Sequence, residues 1–227
     1  MNHPLRKIIC GNRETHRLAD EKGNPIPFSR LLRNGPKALY TALGYKFLNA
    51  RPQVPWISYD ACQMLTRVLM RETEVLEFGS GNSTLWFARH FQTVFSVEHN
   101  AEWYSCVQLM LRKAGLNNVH YFLNDAPAYS GFKEAEGRQF DFVLVDGIIR
   151  SACVVTALQR VKPDSILYLD NSDKHPHGGD TRLAEEALLM AAHDRGGRVL
   201  YFTDFAPTDF FGNQGMMVLL GRFASAV

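Results

Sequence analysis

Five stretches recur at intervals that suit ligand binding, all polar and four of them carrying an acid: Gly79-Ser80-Gly81, Glu98, Asn124-Asp125-Ala126, Asp146-Gly147 and Asp170-Asn171. Each follows or closes a short apolar run that reads as a β-strand, so each falls at the carboxyl end of a strand. In an open α/β sheet, ligands lie in the crevice beyond those ends. A carboxylate there can accept hydrogen bonds from a ribose diol or an exocyclic amine, and it can ligate a hard cation. One such acid is easily a turn residue or a helix cap. Five polar ends on one rim are much harder to attribute to chance.

The elements that position them are organised around Val75-Leu76-Glu77-Phe78-Gly79-Ser80-Gly81-Asn82-Ser83-Thr84. This stretch reads as a buried strand, a glycine turn and the opening of a helix, with Ser83 or Thr84 as the capping residue. Residues without a Cβ let a flat ligand lie against bare backbone. From here strands 74–78, 93–98, 118–123, 140–145 and 165–169 alternate with helices 84–90, 100–115, 151–161 and 180–194. The extended runs 198–203 and 215–221 have no helix between them. Alternation predicts a doubly wound, mostly parallel α/β sheet of seven strands. The final pair predicts a terminal antiparallel β-hairpin, since parallel neighbours need a long crossover.

Upstream the chain is irregular. Gly23-Asn24-Pro25, Asn34-Gly35-Pro36 and Arg51-Pro52 are turn or breaker signals. Between them, Lys37 to Asn49 reads as a helix presenting Leu39, Leu43 and Phe47, and Ser58 caps a helix from Tyr59 to Arg71. The net charge of +2 hides an asymmetry. Residues 1–55 hold ten Lys/Arg against three Asp/Glu, whereas the remainder holds fifteen against twenty. The expected division is a basic N-terminal extension, 1–55, on a body spanning 56–227. The extension either packs on the acidic body or attracts an anionic substrate, a phospholipid surface or a nucleic acid. It lacks the dense cation clusters and interleaved aromatics of a committed nucleic-acid binder. No apolar run approaches a transmembrane length. The scattered Cys10, Cys62, Cys106 and Cys153 read as reduced thiols of a cytoplasmic protein.

The glycine turn separates cofactor classes. Glu98, about 20 residues beyond it, suits either a dinucleotide or an adenosyl ribose. However, Gly79-x-Gly81-x-x-Thr84 lacks the third small residue of the dinucleotide fingerprint. From about Ser58 to Arg222 the chain resembles class I S-adenosylmethionine-dependent methyltransferases. The matching motifs are Glu77 to Gly81, Glu98, Asp125-Ala126, Asp141 to Gly147 and the terminal hairpin; Ser83 departs from a common third glycine. The resemblance implies S-adenosyl-L-methionine as cofactor. Its binding residues would be Glu77, Gly79, Ser80, Gly81, Asn82, Ser83 and Thr84 in the loop, Glu98 on the ribose, with Asp125 and Ala126 on the adenine. His99 would flank the adenine, and Asp146 would border the cofactor.

A narrower resemblance, to the catechol O-methyltransferase-like branch, implies Mg²⁺ on Asp146, Asp170 and Asn171. The alternative is that Asp170-Asn171 is a plain strand-end turn. That branch has a catalytic lysine where this chain has Arg150, which is always protonated and cannot act as base. Arg150 would pair with an anionic group on substrate or cofactor, or with a neighbouring aspartate. A base would then come from His175 or His177, which otherwise are exposed loop histidines. The expected activity is O-methylation of a small or sugar-like hydroxyl. The alternatives are N-methylation, a macromolecular acceptor held by the basic arm, or a non-catalytic scaffold. The aromatics near 205–211 either line a pocket or pack on a second subunit of a homodimer.

Overall fold

The computed structural model describes residues 15–174 and 178–225. Seven strands form one sheet: β1 (Glu74–Phe78), β2 (Thr93–Glu98), β3 (Val119–Leu123), β4 (Phe140–Val145), β5 (Val161–Leu169), β6 (Arg198–Asp204) and β7 (Asn213–Leu219). Their order is β3-β2-β1-β4-β5-β7-β6. The first five are parallel, and β7 enters antiparallel between β5 and β6. The expected seven-stranded sheet with a closing hairpin is therefore present. Strand order reverses between β1 and β4, and there the crevice opens.

Eight α-helices lie among the described residues: α1 (Phe28–Leu48), α2 (Tyr59–Val68), α3 (Asn82–His90), α4 (Ala101–Lys113), α5 (Ala126–Gly131), α6 (Arg150–Arg160), α7 (Asp180–Asp194) and α8 (Arg222–Ser225). Alternation along the strands divides the core in two. Leu76, Phe78, Val143, Val145 and Leu167 face α6 and α7, against Cys153, Val154, Ala184 and Leu188. Val75, Phe142, Leu144, Ile166 and Tyr168 face the other way, against Ala61 and Leu65 of α2 and Phe87 of α3. Both faces of the parallel strands are covered, which explains why β4 is almost wholly apolar.

Several boundaries differ from expectation for identifiable reasons. Asn34-Gly35-Pro36, read as a breaker, lies inside α1. Proline removes one backbone donor there, but tertiary contacts hold the helix through it. Asn34 is buried and donates to Asp60 Oδ1 at 2.9 Å and Asp204 Oδ2 at 2.8 Å. Gly35 faces the Phe205 ring. Leu39, Leu43 and Phe47 belong to that helix but are exposed. Ser58 caps α2, its hydroxyl accepting from Ala61 N, and α2 ends at Val68 instead of Arg71. Helix α3 begins at Asn82 with Gly81 as its cap residue. Ser83 therefore caps nothing; Thr84 closes the turn instead, its hydroxyl accepting from Gly81 N at 2.9 Å. Strand β5 begins at Val161 instead of 165, because Val161 pairs with Phe140 before a register shift.

Candidate active site

The strand ends are stitched together beyond the regular ladder. Gly79 N donates to Val97 O, Asp146 N to Phe78 O, Asp170 N to Val145 O and Asn124 N to Glu98 O, all at 2.9–3.1 Å. These bonds bring the ends of β3, β2, β1, β4 and β5 onto one rim. Gly79 has φ of +95°, and a Cβ there would lie 2.8 Å from the Asp146 carbonyl oxygen. The loops after β1 and β4 therefore touch, and only glycine permits it. A Cβ on Gly147 would fall 1.7 Å from the Tyr129 hydroxyl.

Between these loops lies a cavity of about 320 Å³ lined by Gly79, Ser80, Glu98, His99, Asn100, Trp103, Asp146 and Gly147. Glu98 is its most constrained member. Oε1 accepts from His99 N and Asn100 N at 2.9 Å each. Oε2 accepts from Ser80 N at 3.2 Å and the Ser80 hydroxyl at 2.8 Å. The Ser80 hydroxyl also lies 2.7 Å from the Tyr121 hydroxyl, and Trp103 Nε1 donates to Ser80 O at 2.8 Å. One side chain thus fastens the β1 loop to the β2 loop.

Glu77 lies below, fully buried. Its Oε2 accepts from the Thr84 hydroxyl at 2.5 Å and the Ser96 hydroxyl at 2.6 Å, while Oε1 is buried with no partner. Burial raises its carboxyl to about 7 from an ordinary 4.5, despite the lowering effect of the Ser83, Ser96 and Thr84 hydroxyls. Asn82, Ser83 and Thr84 are buried at the start of α3 behind the glycine turn.

On the β5 side, Arg150 forms a clamp. Its Nη2 donates to Asp146 Oδ1 at 3.2 Å, Nη1 to Asp170 O at 2.6 Å and Nε to Gly147 O at 3.0 Å. The neighbouring aspartate is thus one partner of this arginine. Asp170 is buried, and burial pushes its carboxyl well above the ordinary range, reinforced by the charge of Asp146. Burial raises the Asp146 carboxyl as well, against the lowering charge of Arg150, so the two carboxyls and the guanidinium form one linked cluster.

This donor set does not fit a resident Mg²⁺. Asp146 already faces a guanidinium, so a divalent ion would meet a cation next to its principal ligand. Asn171 sits in a left-handed turn, φ +48°, immediately after β5.

Asp125 caps and Ala126 opens α5, just past β3, the strand next to that of Glu98, but both are exposed and do not line the cavity. Instead Tyr129, one turn along α5, is fully buried against His99 (ring centroids 5.8 Å apart, edge-on), and its hydroxyl has no partner. Tyr129, Trp103 and Tyr121 were not apparent as site residues in the sequence. Their only signal was position, within one turn of Asp125, within one turn of Asn100, and on β3. Arg51, from the basic segment, stands 5.8 Å over the Trp103 ring. His175 and His177 lie outside the described residues.

Together, the sheet order, the reversed hairpin and the glycine-bounded cavity define the class I methyltransferase fold. Solved structures with that fold are similar to this chain. An O-methyltransferase from Bacillus cereus in complex with SAH superposes with a TM-score of 0.59 at 16% identity, over 82% of this chain and 99% of that one. A putative O-methyltransferase from Klebsiella pneumoniae gives 0.57 at 16%, over 83% and 99%. An rRNA methylase from Streptococcus thermophilus gives 0.53 at 13%, over 70% and 92%. No protein-family model and no curated protein matches the chain.

Proposed function

We propose that this chain is an S-adenosylmethionine-dependent methyltransferase acting on the hydroxyl of a small or sugar-like acceptor. The observation that carries the reading is Glu98, a buried carboxylate at the β2 terminus bordering the cavity beside Gly79-Ser80-Gly81. The residues fit an adenosyl cofactor. Gly81 leaves room, since a Cβ there would meet only Trp103, at 3.8 Å. A ribose hydroxyl would compete with the Ser80 hydroxyl for Glu98 Oε2, and the Tyr121 hydroxyl, 2.7 Å from that of Ser80, would remain to Ser80 as a partner. His99, packed edge-on against Tyr129, would flank the base. Asp125 and Ala126 remain candidates for the outer edge of the base.

S-adenosylmethionine, when bound, supplies an electrophilic methyl group on a sulfonium. The chain's part is chiefly positioning, because in-line displacement gains most from holding the two reactants aligned. Asp146, held by Arg150, borders the cavity toward β5 and orients the acceptor hydroxyl. Arg150 is committed to three acceptors and moves no proton. In this reading His175 or His177, directly following Lys174, receives the hydroxyl proton, a role worth about 10²–10⁴-fold in rate. A second reading, a macromolecular acceptor, is supported by the basic segment and by Arg51, which stands over Trp103 of the cavity wall.

The test is a melting curve with S-adenosylhomocysteine, with NAD as control. The expected result is a rise with the adenosyl ligand alone, lost in Glu98→Ala. A curve unmoved by S-adenosylhomocysteine, or moved equally by NAD, rejects the proposal.

A further inference from the structure

Helix α1 carries an apolar stripe along its length with nothing packed on it among the described residues. Phe28, Leu32, Tyr40, Leu43, Phe47 and Leu48 are between 46% and 80% exposed. Their spacing places most of them on one helical face. The opposite face is the one that docks, through buried Asn34, Gly35 and Ala38. Toward the helix C-terminus the stripe opens into a groove of about 540 Å³, whose walls include Tyr40, Leu43, Phe47 and Leu48 and, past the helix, Ala50 and Pro52. Contiguous exposed apolar surface of this extent marks an interaction site.

The charge around the stripe identifies its occupant. Helix α1 contains Arg30, Arg33, Lys37 and Lys46 and no acidic residue. Arg30 and Arg33 are engaged by Asp60, whereas Lys37, Lys46 and the adjoining Arg51 make no ion pair among the described residues. A two-fold dimer through this face would set those cations against their own copies. A bilayer bearing anionic headgroups satisfies both features, apolar side chains at the acyl boundary and cations at phosphate level.

We propose that α1 docks on an anionic phospholipid surface, its Phe and Leu side chains entering the interface and Lys37, Lys46 and Arg51 meeting the headgroups. Arg51 links this face to the cofactor cavity, because it also stands over Trp103, which lines that cavity. Docking therefore engages a residue that touches the cavity wall.

The full chain should cosediment with vesicles of phosphatidylcholine containing phosphatidylglycerol, at least tenfold more tightly than with phosphatidylcholine alone, and the excess should shrink in high salt. The double variant Leu43→Glu, Phe47→Glu should abolish binding. Both positions are exposed, so its circular dichroism and its melting shift with S-adenosylhomocysteine should match the parent. That shift reports the cofactor reading separately, so either idea can fail alone. Lys37→Glu with Lys46→Glu should remove the anionic preference while leaving the apolar stripe intact. Equal partition onto both vesicle types, no partition at all, or binding untouched by the Leu43/Phe47 change overturns the proposal. A dimer in velocity sedimentation that the same change dissolves also overturns it, assigning the face to a second copy.

Discussion

At the scale of single residues, the candidate site is defined by acceptors that already have donors, and by a few that do not. Glu98 receives four hydrogen bonds from its own chain, which is about the capacity of a carboxylate. A ribose diol must therefore displace one of them, and the Ser80 hydroxyl is the displaceable donor. Ser80→Ala is expected to preserve or tighten S-adenosylhomocysteine affinity in calorimetry; a large loss would mean that Ser80 itself binds the ligand. Glu77 makes a different prediction. Its carboxyl is raised by burial to about 7, so the folded state holds its proton more tightly than the unfolded chain does. Its contribution is complete below about pH 4.5 and is lost as pH rises toward 7, amounting to on the order of 3 kcal/mol. Urea midpoints across that window should fall less for Glu77→Gln than for the parent. Tyr129 carries a buried hydroxyl without a partner, so Tyr129→Phe should be neutral or stabilising by about 1 kcal/mol. Gly147→Ala, aimed at that same hydroxyl, should cost about 1–3 kcal/mol, and the phenylalanine should recover part of it.

Among the elements, α1 and α2 are held to the sheet by one carboxylate. Asp204, ending β6, accepts through Oδ2 from Asn34 Nδ2, the Ser58 hydroxyl and Asp60 N. That single oxygen anchors the middle of α1, the cap residue of α2 and the first turn of α2. Asp204→Ala should cost about 3 kcal/mol, since bonds to a charged acceptor are the stronger kind and three donors lose it together. Chemical denaturation measures this directly, and a loss below 1 kcal/mol would show that the helices are held by apolar packing instead. The anchor also explains why Pro36 does not end α1. The missing backbone bond is outweighed by contacts that require Asn34 and Gly35 to be helical.

For the whole molecule, the feature that matters is the shared face of the acids. Glu77, Glu98, Asp146 and Asp170 continue the alternation that sends Val75, Val94, Leu144 and Tyr168 toward α2 and α3. Burying so much acid on one side is costly unless it is neutralised. Here hydroxyls, backbone N–H groups and the guanidinium of Arg150 offset it. EDTA should leave both the melting temperature and the S-adenosylhomocysteine shift unchanged, whereas Arg150→Ala should lower the melting temperature; a chelator-induced drop would reinstate the metal.

The rim was legible in residue order because strand periodicity and glycine spacing are local signals: β1, β2, β4 and α7 stand where their patterns place them, and Glu98 ends its strand as expected. Long-range packing was not legible. It carried α1 through Asn34-Gly35-Pro36, where distant Asp204 receives the Asn34 amide, and it put Tyr129 inside while leaving Asp125 outside. Arg150 and Asp146, four residues apart, pair locally, and residue order already offered that pairing among others. The first two outcomes turn on which distant elements pack against a segment, and no window of neighbouring residues contains that information.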